Sequence, residues 1–478
     1  MTDKLIDEIR DNLDNGNVTS DELFNEATMK AEKYQEDYNS FVTILNKKEE
    51  MDGNSILRGI PYALKDNIST KGILTTASSN ILKDYIPLYD ATVYKKLKEA
   101  GAVLMGKTVL DELAMGGTGT TGHTGIVKNP WDKTRMIGGS SAGSASSVAL
   151  GIVPFAIGSD TGDSIRKPAA YGGVVGYKPT YGRISRYGLF SFASSLDCVG
   201  VFSRSVKDTA YVMDVIKGYD KKDMTSLPDE NISYIDNLNN DVRGRKLFYI
   251  KEAMEIDNGN TELKAIMDNF KCVIDKCREL GIEVEEVSFR KDLLEAIYPS
   301  YMCISCAEAT SNNSNLTGIP FGNRIDGNSI EDIMMKTRTE GFSELIKRRF
   351  VLGSYILQKE NQEKLFLNAG RVRRLIVDGI NELFKEYDGL IMPTTGDIAP
   401  LFDKASDKLS DEYLILGNHL VIGNFGGFPS ISIPSGFVNN MPVSVNITGR
   451  VREDGLVLNL ANKIEEVLGY KGQVSTNE

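Results

Sequence analysis

Residues 137–147 read I-G-G-S-S-A-G-S-A-S-S, residues 158–170 read G-S-D-T-G-D-S-I-R-K-P-A-A, and residues 177–200 read Y-K-P-T-Y-G-R-I-S-R-Y-G-L-F-S-F-A-S-S-L-D-C-V-G. Serine and glycine stand here where an ordinary core would carry Leu and Ile. Glycine lets the backbone take positive φ and lets N–H groups approach a ligand closely. Serine supplies a hydroxyl that a neighbouring base can turn into a nucleophile. Set between apolar segments, this block predicts an active site built from backbone amides and hydroxyls.

Outward from it, strand-like and helix-like runs alternate. Upstream, Leu5, Ile6, Ile9 and Leu13 recur at helix spacing, and Thr19-Ser20-Asp21-Glu22 reads as a capping box opening a second helix. Residues 41–45, 60–64 and 102–105 read as buried strands, with a helix over 91–100. Residues 141–150 read as a small-residue helix, followed by a strand over 153–157. Residues 112–115 read as a short buried helix. Downstream come a strand at 246–250, a helix at 262–280, a strand at 282–287, long helices between 342 and 385, and strands at 389–392, 430–433 and 443–447. This alternation predicts an α/β sandwich whose central sheet is large, mixed and mostly parallel.

The 478 residues are 41% hydrophobic and 25% charged, an ordinary globular balance. Length alone suggests about three domains of ~150 residues. No Pro-rich or charged linker divides the chain, so it reads as one domain over 1–478, with N-terminal helices (about residues 1–40) packed on it. A net charge of -11 argues against a broad nucleic-acid surface. Five cysteines, an odd count, point to free thiols and the cytoplasm. No apolar run approaches ~20 residues, so no membrane span is expected.

Three motifs compete for the chemistry. Residues 101–108, G-A-V-L-M-G-K-T, match a phosphate loop letter for letter, but Val103-Leu104-Met105 is a strand interior rather than an anion cradle. Residues 139–143, G-S-S-A-G, match the nucleophile elbow with Ser141 at its centre. Of the two histidines only His419 follows Ser141, and N-P-W-D-K-T-R-M before it is not the strand an elbow requires. Cys303 and Cys306 form a lone C-x-x-C without the second pair a zinc site needs. With so few histidines, a serine nucleophile needs another base. Lys65, at the end of the apolar run G-I-P-Y-A-L-K-D-N, is the candidate, because desolvation lowers a lysine pKa.

The strings G-I-P-Y-A-L-K-D-N, G-G-S-S-A-G-S and S-D-T-G-D-S-I-R-K-P-A together resemble the amidase signature family. P-T-Y-G-R-I-S-R-Y-G-L-F-S-F-A-S-S-L-D is similar to its branch of aspartyl/glutamyl-tRNA amidotransferase A subunits. The resemblance spans nearly the whole chain. It implies a Ser–Ser–Lys triad: Ser164 the nucleophile, Ser140 the bridging serine behind a cis peptide, Lys65 the base. The backbone N–H groups of Thr161, Gly162, Asp163 and Ser164 would hold the oxyanion. It implies that the amide is glutamine and that its ammonia passes to a B subunit, which uses ATP to amidate Glu-tRNA(Gln) or Asp-tRNA(Asn), with a small C subunit in support. The mischarged tRNA would bind mainly through the B subunit. No cofactor or metal is implied in this chain; ATP and magnesium belong to the B subunit. Tyr301 and Arg349 match positions that hold glutamine, with a surface charge on a helix as the other reading of Arg349.

The chain also departs from the pattern. Asp163 and Ala142 replace glycines, Val109 replaces an asparagine, and Gly417 and Asn418 stand where an acidic residue would bind the substrate amine. Asn418 can accept that hydrogen bond without the charge. Asp163 beside the nucleophile calls for a cationic partner, Arg166 or Lys167, and for backbone angles that a glycine tolerates. Two other functions stay open at this point: a free-standing amidase of small amides, and a catalytically impaired scaffold subunit.

Overall fold

The structure, a computed structural model, describes residues 1–50, 53–228, 232–254, 260–404 and 415–475. Its frame is an eleven-stranded sheet made of β1 (Phe41–Ile44), β2 (Pro61–Lys65), β3 (Val103–Thr108), β4 (Phe155–Asp160), β5 (Val175–Lys178), β6 (Cys198–Ser203), β7 (Lys246–Ile250), β8 (Glu283–Val287), β9 (Gly389–Pro393), β10 (Ser430–Val438) and β11 (Met441–Gly449). The order across the sheet is β1-β3-β2-β4-β6-β5-β10-β11-β9-β7-β8.

The sheet is mixed as expected, but the expected parallel majority is absent. Pairings β2–β3, β2–β4, β7–β8 and β7–β9 are parallel. The other six, through the centre and at the β1 edge, are antiparallel. Two local causes account for it. The serine–glycine block hides β5 and β6, which pair antiparallel with each other. And β10 and β11 form a hairpin whose two turn residues, Asn439 and Asn440, both have positive φ (49° and 61°), as a type I′ turn demands.

Most of the other elements fall within a few residues of expectation. The Thr19–Glu22 capping box forms in full at the start of helix Ser20–Tyr38. Residues 112–115 do not make a regular helix: Leu113 and Ala114 sit at φ 52° and 61°, in a tight turn. The N-terminal segment packs onto the body, with the Ile6 N–H donating to Asp208 and the Thr2 hydroxyl to the Gly151 carbonyl.

Apolar layers cover both faces of the sheet. On β2, Tyr62 and Leu64 enter one core, while Ala63 enters the other beside helix Ala142–Ala149. Strand alternation therefore aims Lys65 toward the face that carries that helix. The helix lies fully buried because its side chains are Ala, Gly, Ser and Val. Its small surface brings the serines that precede it down onto the strand ends. No helix among the described residues is long and apolar enough to cross a membrane.

Candidate active site

Lys65 ends β2, between the parallel strands β3 and β4, and is fully buried. Its Nζ lies 2.8 Å from Ser140 Oγ, 2.8 Å from Ser141 Oγ, 2.9 Å from Ser159 Oγ and 3.2 Å from the Ser159 carbonyl. Burial pushes the ammonium down to about 7, against the opposing pull of Asp111, Asp160 and Asp197. Near neutrality the amine therefore presents a lone pair to the hydroxyls around it. These are not equivalent. Ser141 donates its own proton to the Ser159 carbonyl (3.0 Å), and Ser159 Oγ also accepts from Asn67 (3.0 Å). Accepting that bond leaves the Ser159 proton uncommitted, so Ser140 and Ser159 both remain able to give a proton to Lys65.

Ser140 is positioned by its backbone. The Gly139–Ser140 peptide is cis, and the Ser140 carbonyl accepts from the Asp111 N–H (3.1 Å). The Asp111 carboxylate gathers the N–H groups of Thr118, Gly119, Thr120 and Thr121 at 3.0–3.2 Å. A Cβ at Gly139 would stand 2.1 Å from Asp111 Oδ2. Gly139→Ala must push that carboxylate or the Ser140 turn aside. The expected result is a folded protein with about 1–3 kcal/mol less stability and turnover at this site reduced at least about tenfold, read by urea unfolding and by the initial rate.

Ser164 follows β4 in the segment 161–164 that leads into helix Arg166–Gly172. Its carbonyl accepts from the Ser141 N–H (3.2 Å), which joins the two serine segments. Two buried carboxylates brace this segment. Asp197 accepts from Thr161 Oγ1 (2.7 Å) and from the N–H groups of Phe192 and Ala193, and burial pushes it up to about 6. Asp160 is gripped by Arg166, which also donates to the Gly162 carbonyl at 2.8 Å.

Asp163 is paired with Lys167 at 3.2 Å, while Arg166 is committed to Asp160. Asp163 and Ala142 both lie outside the positive-φ region. Neither replacement needs glycine's freedom, and the Asp163 charge is offset beside the nucleophile candidate.

Gly162, Asp163, Tyr301, Arg349 and Asn418 line one narrow cleft, with Met302 and Val421 among its apolar walls. The structure thus brings the substrate-binding candidates to two of the four oxyanion candidates, Gly162 and Asp163; Thr161 and Ser164 are not among the residues lining this cleft. Arg349 is no surface charge: it is 4% exposed. Its Nη1 lies 3.9 Å from Met302 Sδ, its side chain also meets the Cys306 thiol, its guanidinium lies 5.8 Å from the Phe192 ring, and its Nε is buried without a partner. A buried guanidinium that faces a cleft is suited to receive an anionic group.

The competing motifs resolve structurally. Residues 103–108 are wholly buried strand, and Lys107 donates to the Ile68 carbonyl and to Thr75, 3.4 Å from Asp66. Ser141 faces Lys65, while His419 Nδ1 meets the Leu416 carbonyl and burial pushes its imidazole down to about 4. Cys303 and Cys306 are one turn apart on helix Ile297–Asn312. Among the described residues no group of three His, Cys, Asp or Glu is placed to hold a metal. Sequence reasoning missed Ser141 and Ser159 as contacts of Lys65, and Asp160, Arg166 and Asp197 as braces. The only signal for the braces was their place inside or just after the serine–glycine block.

Comparisons with known proteins bear on the family of the whole chain. A family model described as Amidase matches residues 22–458. The chain is 38% identical to the A subunit of glutamyl-tRNA(Gln) amidotransferase from Lacticaseibacillus paracasei, over 98% of each chain. It is 40% identical to the protein of the same name from Halothermothrix orenii, again over 98% of both. A crystal structure of the A subunit of glutamyl-tRNA(Gln) amidotransferase from Thermotoga maritima superposes with a TM-score of 0.80 at 34% identity, covering 97% of this chain and 94% of that one.

Proposed function

This chain belongs to the amidase family, and from that premise we propose that it is the glutamine-hydrolysing A subunit of a tRNA-dependent amidotransferase, working through Lys65, Ser140 and Ser164. The observation that carries the chemistry is the buried Lys65 amine, 2.8 Å from Ser140 Oγ. Full-length identity to proteins of that name supports the biological role.

In this reading neutral Lys65 takes the Ser140 proton while Ser140 takes that of Ser164. Ser164 Oγ then attacks the glutamine carboxamide carbon. Charge on the carbonyl oxygen is met by N–H groups of residues 161–164, a kind of donor worth ~3 kcal/mol each. The proton returns through Ser140 to the leaving nitrogen, and ammonia departs. Water entering by the reverse relay releases glutamate from the acyl-enzyme. Arg349 takes the substrate α-carboxylate. This chain contributes no cofactor; ATP and magnesium act on the B subunit, which receives the ammonia and the mischarged tRNA, with the C subunit completing the assembly. The five free cysteines are in keeping with a cytoplasmic setting.

The test is reconstitution with B and C subunits and misacylated tRNA, following ammonia and Gln-tRNA or Asn-tRNA together. Equal yields of the two products support the proposal. Ammonia without amidated tRNA would favour a free-standing amidase, and neither product would favour a scaffold. The base also sets a pH dependence. Lys65 works only when neutral, so kcat/KM for glutamine should rise with pH through an apparent pKa of about 7. A flat profile from pH 6 to pH 8.5 would count against Lys65 as base.

A further inference from the structure

We propose that Ser159 is a positioning residue for the base: its hydroxyl oxygen, held in place by Asn67, accepts from the Lys65 ammonium that forms when the relay delivers a proton, and so governs the basicity of Lys65. The inference rests on the reading of Lys65 as base and deepens it.

In the relay the Ser140 O–H bond breaks and a third N–H bond forms on Lys65, while Ser140 takes the Ser164 proton and the Ser164 oxygen bonds to the carbonyl carbon. The amine thereby becomes an ammonium, with three donors and no lone pair. It does so fully buried, where an unpaired charge is costly. Among the described residues no carboxylate lies within ion-pair distance of its Nζ; Asp111, Asp160 and Asp197 act from further off. The charge must therefore be met by neutral oxygens. Four lie close enough: Ser140 Oγ, Ser141 Oγ, Ser159 Oγ and the Ser159 carbonyl.

These oxygens have different duties. Ser140 is on the relay and exchanges its own proton. Ser141 spends its proton on the Ser159 carbonyl, so toward Lys65 it can only accept. That carbonyl is thereby engaged already, and at 3.2 Å it is the most distant of the four. The third N–H is left with Ser159 Oγ at 2.9 Å. Asn67 Nδ2 donates to the same oxygen at 3.0 Å. One lone pair is thus occupied, and the second lone pair and the rotating proton remain for Lys65. The hydroxyl can give its proton to the amine before the transfer and turn its lone pair to the ammonium after it, while the oxygen stays where it is. Backbone pairing holds both residues: Ser159 sits opposite Val199 in β4–β6, and the Asn67 carbonyl accepts from the Phe190 N–H at 2.9 Å.

The experiment measures kcat/KM for glutamine against pH in the reconstituted complex, for wild type, Ser159→Ala, Ser159→Thr and the double variant Asn67→Ala/Ser159→Ala. Ser159→Ala keeps the carbonyl and removes only the hydroxyl. Losing an acceptor disfavours the ammonium, so the rising limb should move to lower pH by about one unit. The plateau above it should fall by up to about tenfold, because the amine is then a weaker base. Ser159→Thr keeps the hydroxyl and should return the limb to its wild-type place. The double variant strands no buried amide and should match Ser159→Ala; it carries the test where the single variant does not fold. Loss of folded protein lowers the plateau and leaves the limb in place. A limb arising from Asp197, which burial pushes up to about 6, would also stay, since its partners are Thr161, Phe192 and Ala193. Asp160 and Asp111 likewise keep theirs, Arg166 and the N–H groups of residues 118–121. A limb unmoved in both Ser159→Ala and the double variant would overturn the inference and leave Lys65 standing as base. A wild-type profile without a limb would overturn both.

Discussion

Lys65→Met should lower ammonia release from glutamine by about 10² to 10⁴-fold, the range a positioned general base supplies, with the fold intact. Methionine fills nearly the same volume and carries no charge into the core. The chain already bears a cost for keeping an amine there, since burial takes it from 10.5 to about 7. The sign follows from that shift. Above about pH 10.5 the amine is neutral folded and unfolded, and burial costs nothing extra. As pH falls toward 7 the unfolded chain gains a proton that the folded chain refuses, so the wild type loses stability. Lys65→Met lacks this penalty, and urea unfolding at pH 7 and pH 10 should show it gaining on the wild type at the lower pH.

Ser164→Ala should be at least as damaging to turnover, and the double variant little worse than either single one, because the relay fails as a unit. Near-normal turnover by Lys65→Met would remove the base from the mechanism.

How far this was legible in the sequence depends on what each residue touches. Lys65 could be singled out because an apolar strand ends on it and the chain is poor in histidine. Its burial was not legible, because it depends on β3 and β4 closing on both sides of β2. Ser140 and Ser164 came from a resemblance; spacing alone pointed as well to Ser141, the centre of G-S-S-A-G. What separates Ser140 from Ser141 is the tie of Ser141 to the backbone of Ser159, 18 residues on, donating to its carbonyl and accepting from its N–H. β5 and β6 were invisible because Gly176 and Gly200 interrupt their apolar pattern. Both glycines are there for close packing: a Cβ at 176 would lie 2.4 Å from Ala169 Cβ, and one at 200 would lie 2.2 Å from the Tyr177 carbonyl oxygen. Asp163 looked like a liability for catalysis. Its pairing with Lys167, one helical turn on, was open to reading, but its place in one cleft with Arg349 needed the fold.

The same limit hid Arg166, whose replacement should have the largest effect on stability. It is fully buried and donates to both oxygens of Asp160 (3.0 and 3.2 Å), to the carbonyls of Gly162 (2.8 Å) and Leu420 (2.6 Å), to Asn424 Oδ1 (2.6 Å) and to Ser430 Oγ (3.3 Å). One guanidinium thus ties the end of β4 and the oxyanion segment to the chain entering β10. Arg166→Met would leave the Asp160 carboxylate buried with only neutral donors, the Ile165 N–H and Asn424. Breaking such a pair costs about 3–5 kcal/mol, visible as a lower urea midpoint at pH 7. Ammonia release should fall with it, because Gly162 loses its anchor. Burial alone would raise the Asp160 pKa, and Arg166 overrides it to hold the carboxyl below 3.8. The pair's contribution is therefore present above that pH and lost as pH falls below it. In Arg166→Met burial is no longer opposed by Arg166 and raises the Asp160 pKa, so protonation relieves the variant and narrows the gap as pH falls from 7 toward 3.8, and below 3.8 the wild type loses the pair's contribution as well. The double variant Arg166→Met/Asp160→Leu should regain stability, since an apolar pair of similar size carries no desolvation cost, yet remain as inactive as Arg166→Met. Recovery of activity along with stability would mean that the pair supports the fold alone and does not position the oxyanion segment.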